Sequence, residues 1–260
     1  TMITKKEFPI LERVSCRDGL LLHKFDDLGL DVSTPIPQKA LLLFLKENVI
    51  KDFVEKNNGV SIILHKTISN NYQLWSVKYK GEDICICQAG VGAPVAAQIL
   101  DYMIGHGAKK IVACGSCGVL KHVDEGAFLV PVKALRDEGV SYKYLSPTRF
   151  VNLDSKFIKS IEKTFKRIGI HYEKCVTWTI DSIFRETKNM IAYRKEEGCD
   201  VVEMECASLA SVAKFRKISF GQILFAADSL ANTKKYDARN FGVDSHEIVL
   251  NICLEVISDF

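Results

Sequence analysis

The stretch DICICQAGVGAPVAAQILDYMIGHGAKKIVAC, residues 83–114, decides the fold. Asp83 to Gln88 reads as a strand, and Lys80-Gly81-Glu82 before it as a turn. From Pro94 to Ile104 the spacing of Val95, Ile99, Leu100 and Met103 is helical, with a proline near the first turn, where its missing N–H is tolerated. Ile111 to Cys114 returns to a buried strand, completing a β-α-β unit. Working outward, Ser61 to Leu64 and Gln73 to Tyr79 read as strands upstream. Downstream, the pattern predicts a strand over Ala127–Val132, a helix over Asp154–Ile168 stopped by Gly169, and a strand over Glu173–Trp178. Val201 to Glu203 follows as a short strand. Cys206 to Phe215 reads as a helix with Cys206, Leu209, Ala210 and Ala213 on one face, Ile218 to Ala227 as a long strand, and Asp244 to Ile257 as a last helix. This alternation predicts an α/β fold, a single domain with a mixed central β-sheet flanked by helices. Ligands of such sheets sit beyond the carboxyl ends of the strands.

Residues 1–59 fit the alternation less well and are set apart as a partly helical N-terminal segment, with residues 60–260 as the α/β domain. Helices are expected at Leu20–Phe25 and Ala40–Phe53, around a Pro35-Ile36-Pro37 break. No repeat or low-complexity linker divides the chain, so one domain overall is expected.

Among 260 residues, 47% hydrophobic and 26% charged, 35 Lys and Arg stand against 32 Asp and Glu, a net charge of +3. That balance points away from nucleic-acid or membrane partners and leaves small anions open. No apolar run reaches the ~20 residues of a membrane-spanning helix. Nine cysteines form an odd set, several in strand-like runs, and no secretory leader is read before them; the expected compartment is a reducing cytoplasm. Cys114 and Cys117 have C-x-x-C spacing, yet nothing completes a tetrahedral zinc set, so buried inert thiols and no metal are expected.

Three features carry chemistry. The loop Ala89-Gly90-Val91-Gly92-Ala93-Pro94 follows a strand and opens a helix, so amides at Gly92 can approach an anion; it matches neither the dinucleotide nor the P-loop pattern. Cys114-Gly115-Ser116-Cys117-Gly118 reads as a second such turn, with the Ser116 hydroxyl between two glycines. Val202-Glu203-Met204-Glu205 delivers two carboxylates from a buried strand to a helix start, and the long strand after it ends on Asp228. Buried carboxylates need polar receivers, and a sugar diol is one.

In order and spacing, the Gly90–Pro94 loop, the Gly-Ser-Cys-Gly segment at 115–118, Val-Glu-Met-Glu at 202–205 and Ala227-Asp228-Ser229 resemble the nucleoside phosphorylase family of purine nucleoside and uridine phosphorylases. The resemblance runs from about Val60 to the C-terminus and implies a phosphorylase-like fold and no cofactor beyond phosphate as co-substrate. It implies that Glu205 holds the ribose hydroxyls while Met204 packs on the sugar, and that Glu203 sits nearer the base. Ile183, Phe184 and Arg185, within Asp181–Arg185, would form the base wall. Ser116 and Gly92 would contact phosphate, with Arg17 in place of an arginine from a loop that is otherwise missing. Asp228 would act as the acid beside a purine base, with Arg239 orienting it. The implied assembly is a homo-oligomer, trimer or hexamer.

The departures are specific. Ala113 stands where phosphorolytic members carry an arginine aimed at phosphate, and no arginine near Asn70 and Asn71 is placed to serve a neighbouring subunit. Three functions follow. Phosphorolysis of a nucleoside to free base and ribose 1-phosphate, purine favoured over uridine, comes first; hydrolysis by water, with Glu12 as a guessed base, is the alternative. The third is a nucleoside-binding protein without turnover, which would not need a proton donor such as Asp228.

Overall fold

The computed structural model describes residues 6–12, 33–123, 128–229 and 246–260, with side chains to Ala226 in the third stretch. In chain order the elements are β1 (Lys39–Leu43), α1 (Glu47–Lys56), β2 (Val60–Lys66), β3 (Asn71–Tyr79), β4 (Glu82–Gln88), α2 (Ala93–Gly105) and β5 (Lys110–Val119). Then follow β6 (Phe128–Asp137), α3 (Ser141–Tyr144), β7 (Phe150–Asn152), α4 (Ser155–Ile168), β8 (Tyr172–Ile180), α5 (Lys188–Glu196), β9 (Val201–Glu203), α6 (Cys206–Arg216), β10 (Ser219–Ser229) and α7 (His246–Asp259). Single 3-10 turns lie at Pro9–Leu11 and Ile183–Arg185.

All ten strands join one mixed sheet. β5, β10, β6, β8 and β9 pair in a closed circuit, and β1, β4, β3 and β2 extend from β5 as a wing. The β4-α2-β5 unit appears as expected, but its strands are not adjacent: β1 lies between them, parallel to both. The wing's outer pairs, β2–β3 and β3–β4, are antiparallel. Helix α7 packs on β1 and β5, α4 on β10, and α6 against α2.

Two expectations are corrected. The helix expected over Ala40–Phe53 is a strand followed by a helix, because Ala40 to Leu43 are fully buried as the middle strand of a parallel trio. A continuous apolar run of that length suits a two-sided buried strand as well as a helix, and only pairing decides. A division at residue 60 therefore separates no structural unit. The segment Gly115–Gly118, expected as a turn, continues β5 and pairs with both β10 and β9. The expected helix at Leu20–Phe25 falls outside the described residues.

Local signals set α4. The Asp154 side chain accepts hydrogen bonds from the Lys156 and Phe157 amides, and Gly169 ends the helix at φ 73°. These occupy the N-cap and left-handed C-terminal positions such residues favour. Inward residues Phe157 and Ile161 of α4 meet β10 at Gly221, where an added Cβ would lie 2.4 Å from the Phe157 ring and 2.9 Å from Ile161. Gly221→Ala is expected to destabilise the protein by about 1–3 kcal/mol through overpacking, measured as a lower urea midpoint at unchanged m-value; an unchanged midpoint would show that α4 shifts freely.

Candidate active site

Strand ends create the site. One cavity of about 250 Å³ is lined by Phe44 after β1, Val91 after β4, Gly115 to Gly118 on β5, Ile183 and Glu186 after β8, Val202 to Glu205 at the end of β9, and Gln222 on β10. Segments far apart in sequence thus meet where the carboxyl ends of the parallel strands β1, β4 and β5 adjoin the end of β9, which runs antiparallel to β5.

The turn from β9 into α6 is held by Glu203. One of its oxygens accepts from the amides of Glu205 (2.7 Å) and Cys206 (2.6 Å), and the other from the hydroxyls of Thr177 (3.0 Å) and Thr179 (2.5 Å). Thr179 Oγ1 in turn accepts from the Ala207 amide at 3.0 Å. Amides at a helix start lack partners within the helix and attract negative charge, so a carboxylate placed there fixes the turn. Glu205 is held by fewer contacts: its Oε1 accepts from the Gly92 amide at 2.6 Å. Gly92 adopts φ 98° at the start of α2, a conformation glycine tolerates, and so links the β4–α2 loop to the Glu205 carboxyl.

Both carboxyls are buried, Glu203 at 6% and Glu205 at 7% exposure. Burial raises Glu203 above its ordinary value, opposed by its four donors. Burial and then the Glu203 charge raise Glu205, to about 8. Of the two, Glu203 keeps the charge because more hydrogen bonds favour its ionised form, and Glu205 holds the proton.

The cavity brings together Ser116, Ile183, Glu203, Met204 and Glu205. Gly92 reaches it through Glu205. Phe184 and Arg185 share the 3-10 turn with Ile183 but point to solvent, Phe184 at 97% exposure, and do not line the cavity. The backbone of Asp228 pairs with Gly118 beyond a register shift after Ala226, at the cavity's edge; its side chain, Arg17 and Arg239 lie outside the described residues. Glu12 does not line the cavity: its carboxylate accepts from the Lys6 amide, and its carbonyl from Lys143 of α3. Asp181 accepts from the Gly139 amide at 2.8 Å, tying the end of β8 to the β6–α3 loop.

Sequence reading missed Phe44, Val91, Glu186 and Gln222. The signal for Gln222 was present, a lone amide inside the apolar run from Ile218 to Ala227. Cys114 and Cys117 are buried, as are all the described cysteines. Among the described residues no group of three or more His, Cys, Asp or Glu is placed to hold a metal, and no helix is long and apolar enough to cross a membrane.

A carboxyl whose folded pKa lies above its unfolded value binds a proton that the unfolded chain releases, so its contribution to stability falls as pH rises between the two values. The substrate-free protein is therefore expected to lose melting temperature through Glu205 from near pH 5 to pH 8. Glu205→Gln should flatten that slope in thermal scans; an equally steep slope in the variant would place the titration elsewhere.

Comparison with known proteins matches this geometry to a family. A profile described as the phosphorylase superfamily covers residues 41–257. The guanosine phosphorylase of Halorubrum lacusprofundi is 23% identical over 164 residues, 60% of this chain and 65% of that protein. The chain thus spans just under two thirds of that relative. Two solved structures share the fold: uridine phosphorylase from Vibrio fischeri ES114, with TM-score 0.74, 22% identity and coverage of 86% of this chain and 93% of that one, and AMP nucleosidase from Bacteroides thetaiotaomicron, with TM-score 0.69, 20% identity and coverage of 86% and 88%.

Proposed function

From the premise that this chain belongs to the phosphorylase superfamily, we propose that it cleaves the N-glycosidic bond of a nucleoside, purine in preference to uridine, releasing the free base. The observation that carries the reading is the meeting of Ser116, Ile183, Met204 and Glu205 on one cavity. Glu205 receives the ribose hydroxyls, Met204 packs on the sugar, and Ile183 lies along the base. As the bond breaks, positive charge grows on the ribose and negative charge on the base. Glu205 gains most from that change, since a cationic sugar favours its ionised form, and an interaction that strengthens in the transition state lowers the barrier. Asp228, at the end of β10, is assigned the proton that the base takes up.

The pentosyl group needs an acceptor. Phosphate at Ser116 would give ribose 1-phosphate, the reaction of phosphorolysis. A specific observation favours water as the second reading: the ionised Glu203 lines the cavity, and among its described lining residues there is no Lys or Arg. A carboxylate ~5 Å from a phosphate charge opposes it by roughly 3 kcal/mol at an effective dielectric of about 20. The likeness to a nucleosidase is in keeping with either acceptor.

Incubation with inosine, adenosine and uridine, followed by chromatography of the free bases, tests the reading. Hypoxanthine or adenine is expected to exceed uracil; no base from any substrate would refute it. Asp228→Asn is expected to lower purine turnover about 10²–10⁴-fold with little change in KM, and an equal rise in KM would deny Asp228 the acid's role. The proposal extends to a homo-oligomer, supported by the exposed apolar side chains of Val91 (69%), Ile183 (55%) and Phe184 (97%), surface that a second copy would cover. Light scattering should give a mass above the 29.2 kDa of one chain.

A further inference from the structure

A second cavity lies at the opposite end of α6 from the first. It measures about 290 Å³, shares no lining residue with the cavity around Glu205, and has apolar walls of Leu153, Ala210, Ala213, Ile218 and Phe220. Glu205 caps the start of α6 and Lys217 its end, so the 11 residues of the helix hold the two cavities about 16 Å apart. Ala210, Ala213 and Lys214 are spaced i, i+3, i+4 and share one face of α6. The two alanines are too short to fill the groove, and Lys214 and Lys217 complete its lining.

Charge at this cavity is unbalanced. Lys214 and Lys217 are exposed, and neither forms an ion pair with a described residue. Arg216, between them in sequence, is by contrast committed to Asp101. The acid among the described lining residues is Asp154, whose Oδ1 accepts from the amides of Lys156 and Phe157, so the start of α4 already offsets its charge. Lys217 also has an uncommon backbone, φ 58°, where the left-handed residues ending α4 and α5 are Gly169 and Gly198. A lysine is strained there relative to glycine, so the chain gives up stability at the point where it sets this ammonium group.

We propose that this cavity binds a small amphiphilic anion, a single ring or short alkyl chain bearing one carboxylate or similar group. Its apolar part lies along Leu153, Ala210 and Ile218, and its charge between Lys214 and Lys217. A neutral apolar ligand would leave both ammonium groups unused, and a fully polar anion would set hydrated groups against apolar walls. The pairing of walls and cations thus selects a molecule with one end of each kind. The volume is at the small end of ligand cavities, ~300–1,000 Å³, which limits the apolar part to one ring or a short chain. The site takes no part in the bond cleavage proposed above.

Calorimetric titration with octanoate, octanol and octylammonium tests the site. Octanoate should saturate one site per chain below about 1 mM and bind at least about tenfold more tightly than either of the others. Lys214→Glu combined with Lys217→Glu should weaken octanoate by about tenfold or more and turn the preference toward octylammonium. Should that double variant not fold, Lys217→Gly decides, because glycine is suited to the left-handed position; it should weaken octanoate about two- to fivefold. The absence of saturable octanoate binding overturns the proposal. So does octanoate affinity unchanged by these substitutions, which would place the anion elsewhere, or octanol binding as tight as octanoate, which would leave an apolar groove without anion selectivity.

Discussion

Glu203 sits in the interior with both oxygens engaged by Thr177, Thr179 and the amides of Glu205 and Cys206. The cavity depends on that arrangement. Two of the four donors are the first amides of α6, and the two hydroxyls come from β8, so one carboxylate clamps strand, turn and helix together. Removing it would leave four buried polar groups without an acceptor, each costing about 1–3 kcal/mol. Because the clamp keeps Glu203 ionised, it also imposes a like charge on Glu205, which lies two residues on and has the weaker claim to a charge of its own. The structural carboxylate thus raises the pKa of its neighbour on the cavity wall.

Topology completes what the clamp begins. Inserting β1 between β4 and β5 spaces the Gly92 loop from the Ser116 strand and places Phe44 between them, where it also contacts the backbone at Gly115: an added Cβ there would lie 2.9 Å from the Phe44 Cβ. Closure of the five-strand circuit brings β9 and β10 to opposite sides of β5. Glu205 and Gln222 therefore reach one cavity from separate strands, with Ser116 on the strand between them.

Much of this was legible in the sequence where the cause was local. Asp154 and Gly169 bracket α4 through caps that act within a turn, and Val201–Glu203 was bounded correctly because apolar residues run straight into two acids. The resemblance brought Ser116, Met204 and Glu205 to the site they line. What failed was long-range. Nothing in Ala40–Leu43 distinguishes a buried strand from a helix, and that error hid Phe44. Glycines at 115 and 118 suggest a turn until β9 and β10 are seen to pair across them. The four donors on Glu203 come partly from β8, more than twenty residues upstream, so its clamping role was not readable from its neighbours.

Where a folded protein leaves polar groups unsatisfied is informative because interiors otherwise select against them. Among the described residues, unmet side-chain atoms occur on His65, His106, Arg194 and Gln222. His65 stacks on Tyr102 and His106 packs against the same ring at a tilt, with centroid distances of 4.0 and 4.4 Å, which gives both imidazoles a packing role, and Arg194 spends its other nitrogens on Asp137 and Glu197. Gln222 has no such compensation and lines the cavity that also holds Glu205, whose pKa burial and the Glu203 charge raise to about 8. Two separate departures from an optimally stable interior, one in hydrogen bonding and one in charge, thus fall within a single cavity.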